Sequence, residues 1–129
     1  MPANTSPIFE LVPNVKGVNF APADTTTKKT IFTAGSNGSR VDSISVVSNS
    51  TALENLAVYI NDGATDFPIG NINIAIGAGY TTVAKVEGLQ SVALLGYIFL
   101  PTGYILKANA VATITAAKIV DVVVQGGDY

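Results

Sequence analysis

Carboxylates are the main acid–base groups this chain possesses. Nine Asp and Glu stand beside seven Lys and Arg, and there is no His and no Cys. Without imidazole or thiolate, histidine-based triads, cysteine nucleophiles, disulfides and the usual zinc sites are excluded. General acid–base work would fall to carboxylates, Lys or Tyr. Glu54, Glu87, Asp42 and Asp121 are the candidates for a paired-carboxylate hydrolase, which needs two carboxyl groups about 5–9 Å apart. No spacing in the sequence brings a particular pair together. Asn61-Asp62-Gly63-Ala64-Thr65-Asp66 offers oxygens that a calcium ion or a sugar hydroxyl would accept, but it matches no calcium-loop template. An Asn-Asp-Gly turn leaving a strand explains the same residues. Tyr59, Tyr80, Tyr97, Tyr104 and Tyr129 suggest a sugar-stacking platform of the kind carbohydrate-binding modules use. There is no Trp, however, and tyrosines scattered over strand edges serve packing or interfaces more often. The glycine-rich pieces at 35–38 and 77–79 lack the lysine of a phosphate loop and read as turns. On this chemistry no enzyme and no cofactor or metal is expected.

Those side chains have to be positioned by a fold of 129 residues, which is one domain on ordinary grounds. With 48% hydrophobic and 12% charged residues the chain can bury a core. The net charge of −2 has no basic pole, which argues against phosphate-mediated binding of nucleic acid. No apolar run is long enough for a membrane-spanning helix. Residues 1–7 carry neither the basic stretch nor the apolar core of an export signal, so synthesis in the cytoplasm is expected.

Four of the six prolines, Pro2, Pro7, Pro13 and Pro22, fall within residues 1–27. Proline removes backbone donors and fixes φ, so this stretch reads as an extended N-terminal arm preceding a domain at 28–129. The arm carries Ile8, Phe9, Leu11, Val12, Val15, Val18 and Phe20, apolar groups that must lie on their own domain or on a neighbour. Ile8, Phe9, Leu11, Val12 and Phe20 are the candidate partner-binding residues. Deleting the arm is expected to leave a folded domain.

From residue 28 onward, short β-rich runs alternate with turn clusters. Strands are expected at 28–34, 40–48, 56–60 and 71–76, where Ile72, Ile74 and Ile76 face one side. Others are expected at 80–86, 111–116 and 119–125, the last with Val120, Val122 and Val124 on one face. Residues 97–100 and 104–107 flank Pro101-Thr102-Gly103 and read as a hairpin followed by a turn at 108–110. Residues 87–95 are the one stretch that suits a helical turn. The sum is an all-β, single antiparallel sandwich of eight or nine strands.

The run from Lys29 to Ile44, with its Gly35-Ser36-Asn37-Gly38-Ser39 turn, resembles the N-terminal strand pair of tailed-phage virion proteins that decorate or cement capsids. Leu56-Ala57-Val58-Tyr59-Ile60-Asn61-Asp62-Gly63, the glycine turn before Tyr80 and the ending Gly126-Gly127-Asp128-Tyr129 fit the same layout. The resemblance spans about residues 28–129 and implies a jelly-roll-like fold. It also implies binding to the major capsid protein on the outer surface of the virion in many copies. Self-association as a homotrimer or another homo-oligomer follows from it too, with no catalytic residues. The alternatives are a carbohydrate-binding module, or an adhesive head-fibre or tail component.

Overall fold

Where every second residue is Val, Ile or Leu, one strand face is buried and the other meets solvent, and such runs pair into sheets that stack by their apolar faces. The computed structural model describes residues 10–93 and 96–129. Among them the strands are β1 (Val12–Phe20), β2 (Lys29–Thr33), β3 (Ser39–Ser48), β4 (Glu54–Asn61), β5 (Asp66–Ile74), β6 (Val86–Glu87), β7 (Ile98–Leu100), β8 (Ile105–Ala110) and β9 (Val120–Asp128). One helical turn, α1 (Leu89–Val92), falls inside the stretch expected to hold it; residues 94–95 of that stretch lie outside the described residues.

The first sheet runs β1-β9-β3, and the place beside β3 is shared by β7, along Ser39 to Val41, and β6, along Ser45 and Val46. The second sheet runs β2-β8-β4-β5. Position by position, β1 matches β2, β9 matches β8, β3 matches β4, and the β6/β7 place matches β5. Each matched pair is consecutive in the chain apart from the split place, which is the double Greek-key wrapping of a jelly roll. All pairings are antiparallel. Ile31, Phe32, Val41, Ile44, Val46, Leu56, Val58, Leu106, Val120 and Val124 are wholly buried in the core.

Polar links at the ends lock the two layers together. Asn14 donates from Nδ2 to the Thr33 carbonyl at 3.1 Å and to Asp128 Oδ1 at 2.8 Å, joining β1, β2 and β9. Ser39 Oγ also donates to Asp128, and itself accepts from the Gly35 N–H at 2.8 Å. At the other end, buried Glu54 accepts through Oε1 from Ser50 Oγ at 2.6 Å, Thr115 Oγ1 at 2.9 Å and the Thr115 N–H at 3.2 Å. Those bonds hold the loop between β8 and β9 against β4.

Several expectations need correcting. The arm assigned to residues 1–27 is, over Val12–Phe20, an edge strand whose nine residues all pair with β9. Pro13 is tolerated because an edge strand has one unpaired side. Phe20 is 1% exposed and belongs to the core, so it is withdrawn from the partner-binding set. The hairpin at 97–107 does not form, since β7 joins the first sheet and β8 the second. Residues 108–110 continue β8 as a strand, because Ala108 and Ala110 are small inward-facing core residues. Residues 111–116 form a loop, and of the strand expected at 80–86 only Val86 remains. Ile76 lies beyond the end of β5 and is 50% exposed, while Ile72 and Ile74 are buried as expected.

Candidate assembly interface

Strand register builds the most conspicuous surface feature of the molecule. Pro13 of β1 pairs with Gly127 of β9, Gly127 with Arg40 of β3, and Arg40 with Phe99 of β7, so one row crosses the whole first sheet. Four strands at the usual separation of about 4.8 Å make this row about 15 Å wide. Apolar groups stand exposed at both of its ends. Leu11 is 77% exposed, with Val12 and Val15 on the same strand also uncovered. Phe99 is 56% exposed at the far side, edge-on to Tyr97 at 5.0 Å between ring centres and tilted against Tyr129 at 6.2 Å.

Arg40 sits between these ends. Its Nε lies 2.7 Å from Glu10 Oε1 and 2.8 Å from Asp42 Oδ1, and its guanidinium carbon lies 5.6 Å from the Tyr97 ring centre. Glu10 packs over Gly127, where a side chain would occupy the space of the carboxylate. A cleft of about 230 Å³ is lined by Glu10, Leu11, Val12, Pro13, Gly126 and Gly127. A second, of about 190 Å³, runs between the Asn37–Ser39 turn, Phe99–Pro101 and Tyr129. The turn depends on Gly38, whose φ of +87° suits glycine and where a Cβ would press on the Leu100 carbonyl oxygen at 3.1 Å.

Of the candidate partner-binding residues, Leu11 and Val12 belong to this rim, Ile8 and Phe9 lie outside the described residues, and Phe20 is internal. Phe99 is not singled out in the sequence, Tyr97 and Tyr129 are read there only among tyrosines scattered over strand edges, and Arg40 is not assigned to any surface. Their meeting depends on the pairing of β3 with β7, which no local pattern encodes.

The other candidates are dispersed. Glu54 faces Ser50 and Thr115, Glu87 faces Lys85 at 3.6 Å, Asp42 faces Arg40, and Asp121 accepts from Asn19 at 2.7 Å and from Tyr80 at 3.4 Å. No two of these carboxylates share a partner. The five tyrosines form no platform: Tyr97 and Tyr129 flank Phe99, Tyr80 leans on Asp121, Tyr104 is half-buried against the core, and Tyr59 lies on the second sheet beneath Lys28, whose Nζ is 4.1 Å from its ring centre.

The oxygens of the Asn61–Asp66 loop are taken up by the turn itself. Asp62 Oδ1 accepts from the N–H groups of Ala64 and Thr65, and Asn61 Oδ1 from that of Gly63. Asp66 accepts from Asn61 Nδ2 at 2.7 Å and from Lys28 Nζ at 2.9 Å. Among the described residues no group of three or more potential metal-ligating side chains gathers.

These bonds hold the carboxyls below their ordinary range: Asp66 through Asn61 and then Lys28, Asp62 through the Thr65 and Ala64 amides, Asp24 through Lys29 and the Ala21 amide. A carboxyl with a depressed folded pKa contributes stability that is complete above its unfolded value of about 3.9 and disappears as pH falls through the folded one. Thermal midpoints are therefore expected to be flat from neutral pH down to about 5 and to fall below about 4. Asp66→Asn would flatten that acid limb, and an unchanged limb in this variant would remove Asp66 from the account.

No helix among the described residues is long and apolar enough to cross a membrane. No protein-family model matches the chain, and no curated protein matches its sequence.

Proposed function

We propose that this protein is a non-enzymatic virion structural protein that binds the outer surface of a phage capsid lattice in many copies and stabilises or decorates it. The observation that carries this reading is the row across the first sheet that ends in exposed apolar side chains on both sides, Leu11, Val12 and Val15 at one and Phe99 with Tyr97 and Tyr129 at the other. Exposed aromatic and aliphatic groups flanking an Arg support a surface that another protein covers. Aromatic and Arg side chains at the centre of such a patch carry much of the binding free energy, and flanking charges set register. The partners are the major capsid protein and further copies of this chain, as a homotrimer or another homo-oligomer. Synthesis is in the host cytoplasm, and the working location is the capsid surface.

The test is co-sedimentation of the purified chain with capsids that lack it. Wild-type protein is expected in the pellet at a fixed copy ratio. Leu11→Asp with Phe99→Asp, both changes on exposed positions, is expected to weaken binding about thirtyfold or more, the loss of about 2 kcal/mol typical of an aromatic anchor. Wild-type protein that stays in the supernatant at every ratio would sink the proposal.

A further inference from the structure

The outer face of the second sheet carries an unusual group of side chains. Asn55 of β4 pairs with Asn73 of β5, and Ala57 of β4 has Asn71 of β5 on one side and Asn109 of β8 on the other. Leu56, Val58, Ile72, Ala108 and Ala110 alternate with these positions and are buried, so the four asparagines and Ala57 share the outward face. Four side-chain amides thus surround one small residue on neighbouring strands. Asparagine is depleted in strands, and a solvent-facing sheet needs no such set for folding.

Their hydrogen-bonding capacity is only partly used. Asn55 donates from Nδ2 to Asn73 Oδ1 at 2.8 Å, and Asn109 donates from Nδ2 to the Thr26 carbonyl at 3.1 Å. Asn55 Oδ1 and Asn109 Oδ1 accept nothing although both are shut off from solvent. A shielded acceptor without a donor is unfavourable, and a turn of the Asn55 or Asn109 amide is needed to bring its oxygen to a ligand on this face. Asn71 and Asn73 are exposed, and a groove of about 390 Å³ opens beside Asn55 and Asn73. None of the four amides bears a formal charge. The nearest cations on this face, Lys28 and Lys107, are both directed at Asp66, at 2.9 and 3.9 Å.

From this we infer that the Asn55/Asn71/Asn73/Asn109 face binds a neutral glycan chain. An amide offers a donor pair and an acceptor side by side, which suits a hydroxyl that both gives and takes a hydrogen bond. A neutral polyol also matches four uncharged amides better than a phosphate or a carboxylate would, and Glu54, which lines the adjoining groove with Asn55 and Asn73, disfavours an anion further. A sugar hydroxyl that replaces Asn73 as the acceptor for Asn55 frees the Asn55 amide to turn and present its carbonyl to a second hydroxyl. Ala57 supplies the flat floor between the amides. The site lies on the sheet opposite the Phe99 rim and does not depend on the capsid reading.

The experiment is a glycan array holding neutral and acidic oligosaccharides, probed with the full chain clustered on fluorescent beads to compensate for weak single-site affinity. Retention of neutral glycans is expected, with a tenfold or greater loss in Asn71→Ala/Asn73→Ala, two exposed positions whose replacement leaves the thermal midpoint in place. Phe99→Ala is expected to bind as wild type. An array with no retained glycan, retention confined to acidic glycans, binding unaffected by Asn71→Ala/Asn73→Ala, or binding lost in Phe99→Ala would each overturn the inference. Because capsid co-sedimentation reads a different sheet, failure here leaves that result standing, and the converse holds as well.

Discussion

A chain lacking residues 1–27 is expected not to fold. The deletion removes β1, and with it all nine pairings along one side of β9. It also removes Phe20, which is buried in the core beneath the Lys29 ammonium, 5.4 Å from its ring centre. Truncating a buried Phe to Ala alone costs about 3–5 kcal/mol, against a total of about 5–15 kcal/mol for a domain. Phe20→Ala is therefore the milder form of the same experiment, with a midpoint expected to fall by about 10–20 °C. Circular dichroism and a thermal scan on the two variants decide it. A cooperative transition in the 28–129 fragment at the wild-type temperature would show that β1 is dispensable and that the domain begins after it.

The second large effect is expected at Gly126. β3 carries a bulge against β9 between Val41 and Ser43, so Val41 pairs with Gly126 and Ser43 with Gln125, leaving Asp42 without a partner in β9. The Arg40 carbonyl is brought so close to Gly126 that a Cβ there would overlap it. The obstacle is main chain in the middle of a sheet, which cannot swing aside as a long side chain would. Gly126→Ala is expected to cost about 3 kcal/mol, at the upper end of overpacking effects, and Gly126→Val more. Urea unfolding measures this directly as a lower midpoint at unchanged slope. Because the same displacement moves Arg40, the capsid binding proposed above is expected to drop in Gly126→Ala even where most molecules are folded. A midpoint equal to wild type would mean that β3 relaxes at this position and that the bulge does not require glycine.

These two cases mark where the residue pattern was informative and where it was not. Val120, Val122 and Val124 alternate strictly, and the period of two placed them inside correctly, as it did Ile72 and Ile74. The same rule failed at Ile76, because periodicity says which way a residue faces only while the strand lasts. Proline content pointed to an extended N-terminal segment, and Val12–Phe20 is extended; that it joins a sheet depends on β9, more than a hundred residues away in the chain. Tyr97 to Lys107 has the look of a hairpin, but Pro101-Thr102-Gly103 carries the chain from one sheet to the other. Local turn chemistry is the same in both cases, and only the partner strands differ. The candidate rim is only partly visible in the sequence. Leu11 and Val12 stand out as apolar residues among prolines, whereas Phe99 and Arg40 become neighbours only through tertiary pairing. The asparagine dish escaped notice for the same reason, since its four members come from three strands.

The split strand place has one more consequence. Long, regular sheet borders offer a row of unpaired amides and carbonyls on which another chain can template itself into a growing aggregate. Here one border of the first sheet is cut into pieces of two and three residues, β6 and β7, with α1 between them. The opposite border, β1, is interrupted by Pro13. In the second sheet β2 is five residues with an irregular register, and β5 contains Pro68 beside a register shift. All four borders are thus shortened, irregular or proline-bearing, features that disfavour edge-to-edge backbone pairing with another chain.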